Sequence, residues 1–260
     1  MKPNIFWIAK AANNISIPFR FIDQDKVIGI LDNNPNLYFA HCTTPFNSQS
    51  IANITKDKFF TYEILKNHIN LPKTKAYLDP NIDKKFAKFL DFHSIEEIKS
   101  DILLHFGEKV MIKRNSGQRK ENVFKCFNKS EIKQALYNIF NQNSKKYDNI
   151  ALAQDVIEIK TEYRVFYAFG EIHLIYKKWT FEKVQDSKLK SSLEKYIQKV
   201  TELIPVNFAG FDIALNDGDE LILIEINSSP RLDLYIKKNH AEQEIINIFE
   251  KILIKQQGIN

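Results

Sequence analysis

The residues best placed to do chemistry lie in two stretches toward the end of the chain. One is Phe208-Ala209-Gly210-Phe211-Asp212-Ile213, and the other is Leu221-Ile222-Leu223-Ile224-Glu225-Ile226-Asn227-Ser228-Ser229-Pro230. Each is a short apolar run of strand length, and Asn216-Asp217-Gly218-Asp219 between them has turn chemistry. Strand side chains alternate, so Glu225 and Asn227 share a face, and a hairpin near Gly218 brings Asp212 opposite them. Leu221 and Leu223 are expected on that same face, which places the acids where an apolar surface opens into a cleft. Two carboxylates and one amide oxygen make a hard donor set suited to Mg2+. The bland interpretation is a sheet face with ordinary outward polar residues.

A second set of residues is informative by position. Lys113 ends the apolar run Lys109 to Lys113 and immediately precedes a polar loop. Glu162 and Arg164 are two residues apart, hence on one face of their strand. Of 37 basic residues only five are arginine, namely Arg20, Arg114, Arg119, Arg164 and Arg231. A chain that uses lysine for generic charge keeps arginine where a planar, two-pronged donor is needed. The six histidines show no i,i+4 metal pairing, and no Gly-x-Ser-x-Gly nucleophile motif occurs.

Several elements must position these groups. Short strands are expected at Ile5 to Ile8, Phe19 to Ile22, Val27 to Leu31 and Leu37 to Ala40. From Ser50 the spacing turns helical, with a break near Asp57 and a stop before Leu71-Pro72. A helix-like stretch covers Ile95 to Leu104. Strands at 109–113 and 123–127 flank the polar loop, and a helix capped by Ser130 or Asn128 follows. Strands are expected at 150–157, 163–169, 171–176, 210–215 and 221–226, with helices at 188–203 and from Ala241. Strand pairs mixed with helices make the fold class α+β.

Composition excludes some alternatives. At 260 residues the chain has length for a sizeable core, and its 44% apolar and 27% charged content is ordinary for a globular protein. Two cysteines cannot build a disulfide framework, and no zinc spacing surrounds them. The net charge of +5 comes from lysines scattered among acids, which favours a solvated surface over a nucleic-acid face. No apolar run reaches the ~18 residues of a membrane span, and no signal-peptide pattern opens the chain. A cytoplasmic protein with no nucleic-acid or membrane partner is expected.

The motifs resemble the ATP-grasp superfamily, in particular the carboxylate–amine ligases related to ribosomal-protein glutamate ligases, cyanophycin synthetase and glutathione synthetases. Gly210, Asp212, Glu225, Asn227 and Pro230 match its G-x-D … E-x-N-x-x-P signature. Ser50 to Thr61 resembles its S-I-A … D-K-x-x-T helix start, and Asn67 to Pro72 its following G-I-P-x-P. The strand ending at Lys113 resembles V-V-K-P, and Gln154 to Val165 resembles the adenine hinge with its ribose-binding acid. The motifs run in family order from about residue 19 to 235.

The resemblance implies two α+β subdomains clasping ATP after a short strand-rich segment, divided at 1–50, 51–153 and 154–260. It implies ATP and Mg2+ as cofactors, with Asp212, Glu225 and Asn227 as metal ligands. Lys58, Lys113 and Gly117 would meet the phosphates, Gln154, Asp155, Val156 and Ile157 the adenine, and Glu162 the ribose. The flap Ser116 to Val123 keeps only Gly117 of the family's glycines, so Arg119 and Lys120 are expected to supply charge there. Arg164 would hold a substrate carboxylate or acyl phosphate, and Lys178, with Lys177 as the register alternative, a phosphate. Arg231 replaces a common glycine and offers a guanidinium to an anionic substrate; its plain alternative is a solvent-facing arginine. The implied reaction joins a small-molecule or peptide carboxylate to an amine through an acyl phosphate. The alternatives are an ATP-binding protein without ligase activity and a phosphotransferase with a hydroxyl acceptor. The short first segment implies a homodimer or partner subunit completing the acceptor site.

Overall fold

The computed structural model describes residues 2–32, 34–117 and 122–258, the side chains of 34–36 excepted. The chain opens with α1 (Asn4–Asn14), followed by β1 (Phe19–Phe21), β2 (Ile28–Leu31), β3 (Asn34–Ala40), α2 (Gln49–Lys56) and α3 (Lys58–Leu65). Next come β4 (Thr74–Leu78), a 3-10 helix (Lys84–Phe89), α4 (Ile95–Phe106), β5 (Val110–Arg114), β6 (Val123–Cys126), α5 (Lys129–Ile139) and β7 (Ile150–Asp155). The last part holds β8 (Ile159–Ala168), β9 (Glu171–Lys177), α6 (Ser187–Leu203), β10 (Phe208–Asn216), β11 (Leu221–Asn227), α7 (Asp233–Asn239) and α8 (Glu242–Gln256). Helices and antiparallel pairs alternate, so the fold is α+β. Two compact units form, one from Met1–Thr55 with Lys160–Asn260, the other from Lys56–Ile159.

In the first unit the segment Ile5 to Ile8 is not the expected strand but the first half of α1. Ile5, Ile8 and Ala12 recur at helical spacing, and they share a core with Ile245, Phe249 and Ile252 of α8. A four-residue apolar run carries no period of its own; the partner helix decides it. Burying each isoleucine or phenylalanine of this core contributes about 1.5–3 kcal/mol. The unit holds an antiparallel β1-β2-β3 sheet and a four-stranded sheet of order β11-β10-β8-β9.

One irregularity in that second sheet matters for the site. Asp212 pairs with Glu225, but the next residue, Ile213, pairs with Leu223, so β11 carries an extra residue at Ile224. This bulge turns Leu221 and Leu223 to the face opposite Glu225, contrary to simple alternation. Ala214 and Ile222, both buried, take their place beside Asp212 and Glu225.

The second unit is an antiparallel sheet of order β4-β7-β5-β6. Its core joins Val110 and Ile112 of β5 to Ile98 and Ile102 of α4 and to Ile132, Leu136 and Ile139 of α5. Of the two expected caps for α5, Asn128 is the one used: its side chain accepts from the Glu131 N–H at 2.9 Å. Sequence periodicity leaves β4, the 3-10 helix and α7 unassigned.

Candidate active site

Four strands bring one polar row together within the first unit. Asp212 on β10 faces Glu225 on β11, and Gly210 faces Asn227 two residues away. On the other side of β10 lies β8, which carries Glu162 and Arg164. Lys178 directly follows β9 and is tied to β8 by its N–H donating to the Glu162 carbonyl at 2.8 Å. No three histidine, cysteine or acidic side chains converge among the described residues, so the metal-type donors here are two carboxylates and an amide.

Asp212 is only 1% exposed, and its carboxylate is neutralised from two sides. Arg164 Nη2 donates to Oδ2 at 3.0 Å, Arg164 Nε pairs with Oδ1, and Lys178 Nζ also reaches Oδ2. Lys178 gives a further hydrogen to Glu162 Oε1 at 2.6 Å, while Trp179 Nε1 donates to Glu162 Oε2 at 2.9 Å. Burial by itself would lower the Lys178 pKa, but the Asp212 and Glu162 carboxylates outweigh it and raise it. Arg164 follows the same pattern, with burial opposed chiefly by Asp212 and the net shift upward. Both cations therefore stay charged at neutral pH.

Gly210 is part of this construction. A Cβ there would meet Pro230 Cβ at 2.8 Å and Arg164 Nη1 and Cδ at 3.1 and 3.2 Å. The absent side chain lets the arginine cross the strand to Asp212. Of the two candidate lysines, Lys177 pairs with Glu182 at 2.8 Å, and Lys178 is the one turned to Glu162 and Asp212. Arg231 is engaged by its neighbour Asp233, with Nη2 to Oδ2 at 2.8 Å, and is partly exposed.

The donors fit a hard divalent cation. Glu225 is half-buried and forms no hydrogen bond or ion pair among the described residues, so its oxygens are uncommitted. Asn227 Oδ1 accepts from the Ser229 N–H at 3.0 Å and retains a second lone pair. A cation bound here would share Asp212 with Arg164 and Lys178.

The second unit holds the remaining predicted residues. Lys113 is buried, and its Nζ donates to Gln154 Oε1 at 2.8 Å. Gln154 Nε2 in turn donates to Thr74 Oγ1 at 2.8 Å, so the Gln154 side chain serves the lysine. Lys58 Nζ donates to the carbonyls of Asn115 and Gly117 at 3.2 and 3.0 Å. Gly117 has φ +145, a conformation side-chain-bearing residues rarely adopt, so glycine is favoured at the loop's start; the Arg114 guanidinium lies where its Cβ would be. Asp155 ends β7, and Val156 and Ile157 continue into β8 without a backbone hydrogen bond among the described residues. The flap residues Arg119 and Lys120 lie outside the described residues.

Sequence reasoning misses the groups that hold this loop's base. Asn115 donates from Nδ2 to Asp57 Oδ2 at 2.7 Å and accepts the Phe59 N–H at 2.9 Å. Asp148 Oδ2 accepts from both the N–H and the hydroxyl of Ser116. Trp179 is missed as well; its one signal is the position next to Lys178.

Comparison with known proteins finds solved structures of similar fold and one matching family. Among solved structures, the D-alanine–D-alanine ligase from Coxiella burnetii is 14% identical with a TM-score of 0.58, covering 79% of this chain and 59% of that one. The D-alanine–D-alanine ligase from Bacillus anthracis complexed with ATP is 17% identical with a TM-score of 0.55, covering 81% and 68%. The macrocyclase MdnC bound with precursor peptide MdnA from Microcystis aeruginosa MRC is 13% identical with a TM-score of 0.52, covering 79% and 63%. This chain thus spans about three fifths of the length of the Coxiella enzyme. At these identities the likeness is one of fold. Residues 109–242, just over half of the chain, match the family described as ATP-grasp domain, R2K clade family 2, and the chain belongs to that family.

Proposed function

We propose that this protein is an ATP- and Mg2+-dependent carboxylate–amine ligase, ADP-forming, that makes an amide or peptide bond through an acyl phosphate. The observation that carries the proposal is the row Arg164–Asp212–Glu225, joined to Glu162 through Lys178. Two cations, Arg164 and Lys178, stand among three carboxylates there, a charge set that suits phosphate oxygens and a divalent cation.

In this proposal a substrate carboxylate oxygen attacks the γ-phosphorus of ATP. The bond to the β–γ bridging oxygen breaks, leaving ADP and the acyl phosphate. An amine then attacks the acyl carbon, loses a proton and expels inorganic phosphate. Mg2+ held by Asp212, Glu225 and Asn227 would offset phosphate charge. Arg164 presents a planar guanidinium whose second edge orients the substrate carboxylate or its acyl phosphate. Lys178 shifts its charge from the acids to a phosphate oxygen. Glu162 accepts the ribose hydroxyls, and the backbone of Val156 and Ile157, without a backbone hydrogen bond among the described residues, meets adenine. Lys113 and Lys58 serve the phosphates, Lys58 by exchanging the loop carbonyls it holds for phosphate oxygens. Arg231 offers an anionic substrate its guanidinium once Asp233 yields it. The substrates are a carboxylate and an amine, small or peptidic.

The test is mass spectrometry of the protein with ATP and Mg2+ against a library of amino acids and peptides. New amides together with ADP are expected. Phosphorylated hydroxyl products, or ADP without any conjugate, refute the ligase assignment. Arg164→Lys is expected to keep ATP binding and to slow amide formation about a hundredfold, since lysine preserves charge and loses the planar fork.

A further inference from the structure

Building on Glu162 as the ribose acid proposed above, we infer that Trp179 is a positioning residue that aims this carboxylate at the ribose hydroxyls. Glu162 is 9% exposed and is clamped at three points by the two residues that follow β9. The Lys178 N–H holds its carbonyl at 2.8 Å, Lys178 Nζ holds Oε1 at 2.6 Å, and Trp179 Nε1 holds Oε2 at 2.9 Å. Lys178 divides its ammonium between Glu162 and Asp212. The indole has a single hydrogen to give, and gives it to Oε2.

The count of lone pairs makes this arrangement specific. An ionised carboxylate offers about four acceptor positions. With one donor already on each oxygen, one position on each oxygen remains. Two adjacent hydroxyls, each a donor, match that remainder, and a ribose carries such a pair. Without the indole, Lys178 still holds Oε1 but nothing fixes Oε2, so the carboxylate plane can tilt about that one contact and the two-point match loosens. The exposure of Trp179 points the same way. The chain has two tryptophans; Trp7 is buried in the core, while Trp179 is 55% exposed. A large apolar ring left half in solvent gains little from burial; what it brings to the site includes its N–H on Glu162 and its face 5.4 Å from Lys178 Nζ.

The experiment measures the affinity of the full chain for Mg2+-ATP and Mg2+-2′,3′-dideoxyATP by calorimetry, for the wild type, Trp179→Phe and Glu162→Gln. Phenylalanine keeps an aromatic face beside Lys178 while removing the donor and part of the ring. Trp179→Phe is expected to weaken ATP about five- to tenfold and to leave dideoxyATP within about twofold, because only the hydroxyl contacts are affected. Equal weakening of both nucleotides, or none, overturns the inference and leaves Trp179 a structural clamp. Glu162→Gln separates the two levels. If it erases the preference for ATP while Trp179→Phe keeps it, the Trp179 role alone is wrong. If the preference survives Glu162→Gln, Glu162 is not the ribose acid, and the nucleotide site proposed above falls with it.

Discussion

Replacing Asp212 by alanine separates the stability of the site from its chemistry. Asp212 is 1% exposed and opposes two cations, Arg164 and Lys178, whose side chains are 16% and 19% exposed. Removing one partner of a buried ion pair typically costs about 3–5 kcal/mol, since the other charge stays buried. Here Lys178 keeps Glu162, so the uncompensated charge is mainly Arg164, and the lower end applies: about 3 kcal/mol. At about 2–4 °C per kcal/mol for this size, the melting temperature falls by about 6–12 °C. The assay is urea and thermal denaturation at pH 7 without nucleotide. Adding Arg164→Met to Asp212→Ala removes the stranded charge, so the double variant falls short of the summed single costs by about 1–3 kcal/mol. Glu225→Ala serves as the control: its side chain is half-buried and forms no hydrogen bond or ion pair among the described residues, so its cost stays within about 1 kcal/mol. Both variants should lose Mg2+-dependent ATP consumption. An Asp212→Ala protein as stable as Glu225→Ala, with additive single costs, refutes the reasoning that the carboxylate holds the two cations in place.

Other outcomes follow from single features. Gly210→Ala puts a methyl against Pro230 and Arg164, and overpacking of this kind costs about 1–3 kcal/mol, read as a lowered denaturation midpoint. Lys113→Ala should weaken ATP more than AMP, since the amine is assigned to phosphates; equal losses in calorimetry contradict that placement. Burial lowers the pKa of His173 below its ordinary 6.5, against a hydrogen bond to the Ala168 carbonyl that raises it. The unfolded chain therefore binds the proton first, so the stability linked to His173 is complete above pH 6.5 and declines as pH falls below it. Thermal melts between pH 8 and pH 5.5 should slope less in His173→Gln than in the wild type; equal slopes show that His173 is not the linked group.

The legible parts of the fold are those in which local pattern and tertiary packing agree. The strands around Asp212 and Glu225 could be read because a turn with Gly218 separates two apolar runs. Asp57, where the helical pattern breaks, is the N-cap of α3, with its carboxylate accepting the Phe60 N–H. The helix over Ile5 to Ile8 was illegible because its partner, α8, lies at the far end of the chain, and its N-cap Pro3 supplies no side-chain hydrogen bond. The bulge at Ile224 left no mark in an unbroken apolar run. For the site, spacing alone placed Glu162 with Arg164, and Asp212 with Glu225 and Asn227. That Arg164 and Lys178 both close on Asp212 depends on β8 lying next to β10, a pairing between distant segments. Asn115 and Asp148 look like loop polar residues in sequence, and their work emerges only when Asp57 and Ser116 come within reach.

The division of the first unit between two separate stretches of chain sets a timetable for its folding. Helix α1 shares its core with α8, made some 230 residues later, and ribosomes add about 5–20 residues per second. Ile5, Ile8 and Ala12 therefore wait on the order of ten to fifty seconds for their permanent neighbours. The second unit is continuous from Lys56 to Ile159 and has its whole core available long before synthesis reaches α8. A ribosome stalled just before Glu242 would thus carry a finished second unit and an uncovered α1, the kind of exposed apolar helix that holding chaperones engage.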